Sequence, residues 1–155
     1  MNVYLIASYH RRHEMLGYAQ QLVDAGFQVA SSWVDGHHEA DIPQFPHGVG
    51  ENDMPPEVQA RWAIADTNDL LTTDVVVCFA EPAGSPHKRG GRHVEFGIAW
   101  AMHKQIVLVG EPENAFHCMC LLQARTFDQV LEYLKWQNGD TTPTKLVALS
   151  DRRER

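Results

Sequence analysis

Four residues in this chain have types that could do chemistry together: Glu95, Asp66, Tyr4 and Ser8. Glu95 follows a glycine turn in the stretch RGGRHVEFGIAWAMHKQIVLVG, residues 89–110. Glycines let the backbone come close to a ligand, and the helix predicted from about Arg92 to His103 supplies free N–H groups and a positive dipole end. In the first turn of such a helix the charged form of a carboxylate is favoured, as a nucleophile requires. An acidic residue there also has a purely structural use, worth about 0.3–1 kcal/mol of dipole stabilisation. Cleaving a bond at an anomeric carbon needs one carboxylate to attack or stabilise an oxocarbenium-like centre. A second group must protonate or hold the leaving group. Glu95, Asp66, the Tyr4 phenol and the Ser8 hydroxyl fit that division of labour, although solvated surface carboxylates would also satisfy it.

These residues must be brought together by elements far apart in the chain. The run Asn2–Ala7 reads as a buried first strand, so Tyr4 lies on it and Ser8 at its exit. Met15, Leu16, Ala19, Leu22 and Val23 are spaced for one apolar face of a helix from about Arg11 to Ala25, stopped by Gly26. Phe27–Trp33 is predicted as the second strand. Residues 34–55 hold Asp35, His37, His38, Glu39, Asp41 and His47 with no sustained period, and read as a flap over the site. Pro55–Pro56 starts a helix to about Leu71, which carries Asp66. Asp74–Phe79 is a continuous apolar strand of the kind found at the centre of a parallel sheet. A second loop, Ala80–Gly91, leads into the Glu95 helix and the strand Gln105–Val109. Phe116–Ala124 is predicted as a last short strand, and Thr126 with Gln129 as a capping box for a helix Phe127–Gln137.

This alternation predicts an α/β single-domain, Rossmann-like or flavodoxin-like parallel sheet with helices on both faces, over residues 1–137, with a polar tail at 138–155. Ligands of such sheets bind beyond the carboxyl ends of the strands. That rule gathers the segment after Ala7, the flap, the loop after Phe79 and the turn before Glu95 at one crevice.

Composition limits the partners. With 44% hydrophobic and 21% charged residues the chain belongs to the globular class, and its 155 residues suit one domain. A formal charge of −7 argues against binding a nucleic-acid polymer. Cys78, Cys118 and Cys120 are too few and too apolar in context for a disulfide framework and suit a cytoplasmic setting. The N-terminus places its apolar part before its charges, the reverse of a secretory signal, and no apolar run is long enough to span a bilayer. The flap histidines match no metal-ligand spacing, so neither metal nor cofactor is expected. Cys118 and Cys120 read as strand packing. A dehydrogenase is disfavoured because SYHRRHE, not G-x-G-x-x-G, follows the first strand.

VYLIAS at 3–8, Asp66 and GGRHVEFGIAWAMHKQIVLV at 90–109 resemble the nucleoside 2-deoxyribosyltransferase family, which includes 2'-deoxynucleoside 5'-phosphate N-hydrolases. The resemblance covers about the first 110 residues and is most specific in Gly-x-x-x-Glu-x-Gly followed by AMHKQIVLV. It implies an N-glycosidase or deoxyribosyl transferase. Glu95 would be the nucleophile, forming a glycosyl-enzyme that water or a second base resolves. Asp66 would contact the base or sugar and assist departure, Tyr4 would orient the nucleophile, and Ser8 would contact the substrate.

Where the transferases carry acidic residues before the nucleophile, this chain has His87, Lys88, Arg89, Arg92 and His93. Basic groups beside a helix N-terminus favour a phosphate, so a nucleoside 5'-monophosphate is preferred over a free nucleoside. The substrate-binding set is therefore Ser8, His10, Arg89, Gly91, Arg92 and His93. The resemblance further implies a homo-oligomer, at least a dimer. Two other readings share the crevice: a nucleotide-binding sensor without turnover, and an NAD glycohydrolase, against which stands the lack of an adenosine subsite.

Overall fold

The computed structural model describes residues 1–36, 54–86 and 90–139. Five strands form one sheet, every neighbouring pair parallel: β1 (Asn2–Ile6), β2 (Gln28–Val29), β3 (Val75–Phe79), β4 (Gln105–Val109) and β5 (Leu122–Ala124), in the spatial order β2-β1-β3-β4-β5. This is the doubly wound order of flavodoxin-like sheets. Four α-helices lie among the described residues: α1 (Arg12–Asp24), α2 (Pro56–Leu71), α3 (Gly91–Ala101) and α4 (Phe127–Gln137).

β3 has no polar side chain, and every residue of it is buried. Residues paired across a parallel ladder point to the same face, and the register sets Tyr4 beside Val76 and Ile6 beside Cys78. Tyr4 bonds to α3, so that face of the sheet is covered by α3, with α2 packed against it. Phe79 points to the other face, where its ring stacks on Tyr18 of α1, which in turn stacks on Phe127 of α4. Helices therefore cover both faces, as the alternation predicts.

Three elements depart from the sequence expectation, each for a local reason. The predicted strand Phe27–Trp33 pairs only over Gln28–Val29. Beyond it the edge of β1 is satisfied by side chains, since Ser31 Oγ accepts the Leu5 N–H at 2.6 Å and the Trp33 indole donates to the Leu5 carbonyl at 3.0 Å. Of the predicted strand Phe116–Ala124 only Leu122–Ala124 is extended. Asn114 Oδ1 accepts the N–H groups of Phe116 and His117 and so opens a 3-10 turn, Ala115–Met119. Cys118 is accordingly exposed on that turn, while Cys120 is buried. The predicted capping box is not formed: Thr126 makes no side-chain cap bond, and Gln129 reaches past it to accept the Arg125 N–H at 2.8 Å.

The flap residues His37, His38, Glu39, Asp41 and His47, the basic residues His87, Lys88 and Arg89, and the tail from 140 lie outside the described residues. No described helix is long and apolar enough to cross a membrane.

Candidate active site

On the face of the sheet covered by α3, Tyr4 from the middle of β1 meets Glu95. Tyr4 is wholly buried, and its hydroxyl donates to Glu95 Oε1 at 2.6 Å. Burying a phenol without a partner is costly, so this bond both satisfies Tyr4 and fixes one oxygen of Glu95. The second oxygen of Glu95 is left to other partners. Burial, reinforced by the negative charges of Glu95, Asp66 and Asp69, pushes the Tyr4 hydroxyl far above the ordinary phenol range. Tyr4 is thus a donor throughout the physiological range and never a base.

The same electrostatics link Asp66 to Tyr4 through its charge. Asp66 and Asp69 stand on consecutive turns of α2, one face of the helix, and both charges reach the Tyr4 hydroxyl. Asp69 is tied down: its Oδ2 accepts the N–H of Ser32 at 2.9 Å and the Ser32 hydroxyl at 2.7 Å. That pair anchors α2 to the segment leaving β2. Asp66, half-buried, is so held on a fixed helix beside the Tyr4–Glu95 pair.

The position of Glu95 corrects one expectation. α3 begins at Gly91, its N-cap is Gly90, and no acidic residue stands in its first turn. Glu95 opens the second turn, where the helix dipole acts less, so the fixed Tyr4 donor is the interaction that orients it. Phe96 and Ala99 seat the helix on the sheet and are buried with Arg92.

Arg92 has a different place from the one its sequence context suggests. It is 3% exposed and forms a two-pronged ion pair with Glu113, through Nη1 to Oε1 and through Nη2 to Oε2 at 2.6 Å. Burial alone would raise the Glu113 carboxyl, but the Arg92 bonds and the Glu81 N–H, at 2.9 Å from Oε1, hold it below the usual carboxylate range. The charge of Arg92 is therefore matched inside the protein. His93 is engaged as well, its Nδ1 lying 3.2 Å from His117 Nε2 and 3.3 Å from Asn114 Nδ2.

Ser8 caps a short 3-10 turn, Tyr9–Arg11, after β1, and His10 on that turn is exposed with its Nε2 3.8 Å from Glu81. Gly91 is exposed at the first position of α3. Arg89 lies outside the described residues. The structure thus joins Tyr4 to Glu95, places Asp66 on α2 within electrostatic reach of Tyr4, sets Ser8, His10 and Gly91 on turns flanking the elements, and turns Arg92 inward.

Sequence reasoning missed Glu81, Glu113, Asn114 and His117. Glu81 is a buried carboxylate between Arg11 and His10 at 3.8 Å, accepting the Ser85 hydroxyl at 2.9 Å. Asn114 alone carried a local signal, as a residue that favours N-caps. Among the described residues no group of three or more His, Cys, Asp or Glu could hold a metal.

No family model matches this chain, and no curated protein matches it in sequence. Solved structures do match it in shape. The chain is similar to the CMP N-glycosidase BcmB of Clostridium botulinum, at 19% identity and a TM-score of 0.51, over 88% of this chain and 99% of that one. It is also similar to the 2-deoxyribosyltransferase of the psychrotolerant bacterium Bacillus psychrosaccharolyticus, at 18% identity and a TM-score of 0.64, over 94% of this chain and 100% of that one. The resemblance drawn from VYLIAS and the Glu95 segment thus extends to three dimensions, and this chain has the α/β fold of those two proteins.

Proposed function

We propose that this protein is an N-glycosidase that cleaves the bond between base and sugar in a nucleoside 5'-monophosphate, by double displacement at C1' through Glu95. The observation that carries the reading is the Tyr4–Glu95 hydrogen bond, made within electrostatic reach of Asp66 in a fold similar to that of a CMP N-glycosidase. One oxygen of Glu95 is fixed by Tyr4, so the carboxylate is aimed before substrate arrives. In the first step the other oxygen forms a bond to C1' as the C1'–N bond breaks, and the electrons of that bond leave with the base. Asp66 stabilises the departing base or supplies its proton. In the second step water, or a second base, gives a proton to the Asp66 carboxylate and bonds to C1' as the C1'–O bond to Glu95 breaks, which frees the Glu95 carboxylate.

The phosphate preference rests on local electrostatics. A helix start such as that of α3 favours an anion, and in sequence His87, Lys88 and Arg89 precede its N-cap Gly90. With Arg92 neutralised by Glu113, Arg89 and its neighbours carry this role together with Ser8 and His10. Release of free base from a panel of ribo- and deoxynucleosides and their 5'-monophosphates tests the reading. Release from monophosphates, lost in Glu95→Gln, is the expected result. Release from free nucleosides alone would remove the phosphate preference. A new nucleoside formed with an added base would make the enzyme a transferase, as in the Bacillus relative. No release from any substrate, with nucleotide still bound, would leave a sensor.

The proposal includes a cytoplasmic homo-oligomer of at least two chains. In its support, Trp100, Phe116 and Met119 leave large apolar surfaces exposed around a groove of about 180 Å³. Activity that falls on dilution would accord with a shared site.

A further inference from the structure

The helix that presents Glu95 starts on two glycines, the N-cap Gly90 and Gly91. The Gly90 carbonyl accepts the His93 and Val94 N–H groups at 2.9 and 3.2 Å, but neither glycine has a side chain to tie the helix start to the rest of the molecule. The next two residues do so, and both reach to the segment after β4. Arg92 pairs with Glu113. His93 meets His117 and Asn114.

The hydrogen bonds in the second contact permit one arrangement of protons. His117, 1% exposed, accepts the Glu113 N–H at Nδ1, 3.3 Å away, so its own proton is on Nε2. That Nε2–H faces His93 Nδ1 at 3.2 Å. The Asn114 amide is oriented by its Oδ1, which accepts two backbone N–H groups, so its Nδ2 also donates to His93 Nδ1. Two donors converge on one nitrogen. His93 Nδ1 must be a lone pair, its proton must be on Nε2, and both rings must be neutral. A proton added to His93 Nδ1 would face both donors, and one added to His117 Nδ1 would face the Glu113 N–H. Among the described residues the charged groups around the rings are Arg92 on α3 and Glu113 before the 3-10 turn, paired with each other. Phe96 closes the cluster, its ring 5.0 Å from that of His117.

We propose that His117 is a positioning residue: with Asn114 it clamps His93 and so fixes the turn of α3 that leads to Glu95, and the clamp holds only while both imidazoles are neutral. Acid opens it, and the Glu95 carboxylate loses its aim. This rests on the catalytic reading of Glu95 given above. In support, burial, with the nearby Arg92 cation, holds His93 below its ordinary value, and burial, with His93, does the same for His117.

Long-range proton–nitrogen spectra of the histidine-labelled protein test the clamp without any substrate. Expected are Nε2–H tautomers for both His93 and His117, each titrating below the ordinary imidazole value of about 6.5. An Nδ1–H tautomer on either ring, or titration at the ordinary value, would overturn the proposal. The kinetic arm uses two variants. In His117→Gln the side-chain amide donates to neutral His93 and, turned over, accepts from the protonated ring. That variant is expected to keep kcat at neutral pH within about threefold and to lose the acid inflection of kcat. His117→Leu is expected to lower kcat about tenfold or more with KM little changed. An acid inflection unaltered in His117→Gln, or wild-type kcat in a folded His117→Leu, would count against the clamp. If the wild type released no base, the catalytic reading would fail while the spectra still decided the clamp.

Discussion

At the scale of single residues, the account turns on which groups hold Glu95. Tyr4 was legible as a phenol on the first strand that matches an aromatic of the resembled family, and Glu95 because glycines precede it. Their 2.6 Å contact was not legible, since it joins positions 91 residues apart in sequence. Arg92 misled for the same reason: beside Lys88 and Arg89 it reads as a phosphate ligand, and only the fold brings Glu113 to it. Replacing Tyr4 by Phe removes one charge-assisted hydrogen bond, worth about 1.5–3 kcal/mol. Because that bond orients the nucleophile, kcat for base release is expected to fall about 10- to 100-fold with KM little changed. Steady-state kinetics of the variant, with its fold checked by circular dichroism, measures this. Wild-type kcat in Tyr4→Phe would remove Tyr4 from the mechanism.

At the scale of elements, the sequence located the helices carrying Asp66 and Glu95 and the three central strands closely, because each has a continuous apolar run or a clear period. Edges were harder. β2 is short since Ser31 and Trp33 side chains, not a backbone ladder, cover the edge of β1, and no periodicity encodes that. The residues after Asn114 form a 3-10 turn because an amide side chain caps it, overriding the apolar run that suggested a strand. That turn carries His117 to α3, and Glu113 stands just before its N-cap Asn114. Glu113→Ala leaves the buried Arg92 cation without its partner and is expected to destabilise the fold by about 3–5 kcal/mol. Arg92→Met combined with Glu113→Leu removes both charges and is expected to recover most of that loss. Urea denaturation of the two variants checks it; equal destabilisation by the double and the single change would mean that the pair is not the anchor of α3.

At the scale of the whole molecule, the parallel architecture followed from alternation alone, whereas the surface grouping of Trp100, Phe116 and Met119 needed the fold. The pH dependence of stability also belongs to this scale. His93 and His117 are held below their ordinary values by burial, so the folded chain binds fewer protons than the unfolded one as pH falls. Their contribution is full above about pH 6.5 and is lost as pH falls through the lowered folded values. Glu113, held below the usual carboxylate range, adds stability present above about pH 4.5 that disappears on further acidification. Denaturation midpoints followed between about pH 8 and pH 3 should show the loss in two stages. A midpoint that stays flat down to about pH 5 would contradict the histidine part. An oligomer resting on the Trp100 face is expected to give monomers in Trp100→Glu, with light scattering as the check. The covalent role of Glu95 can be read by rapid quenching of the enzyme during turnover of a nucleoside 5'-monophosphate, followed by peptide mass analysis. The peptide holding Glu95 is expected to gain the mass of the sugar phosphate, and the same peptide of Glu95→Gln is not. An adduct on another residue, or base release at wild-type rate by Glu95→Gln, would contradict it.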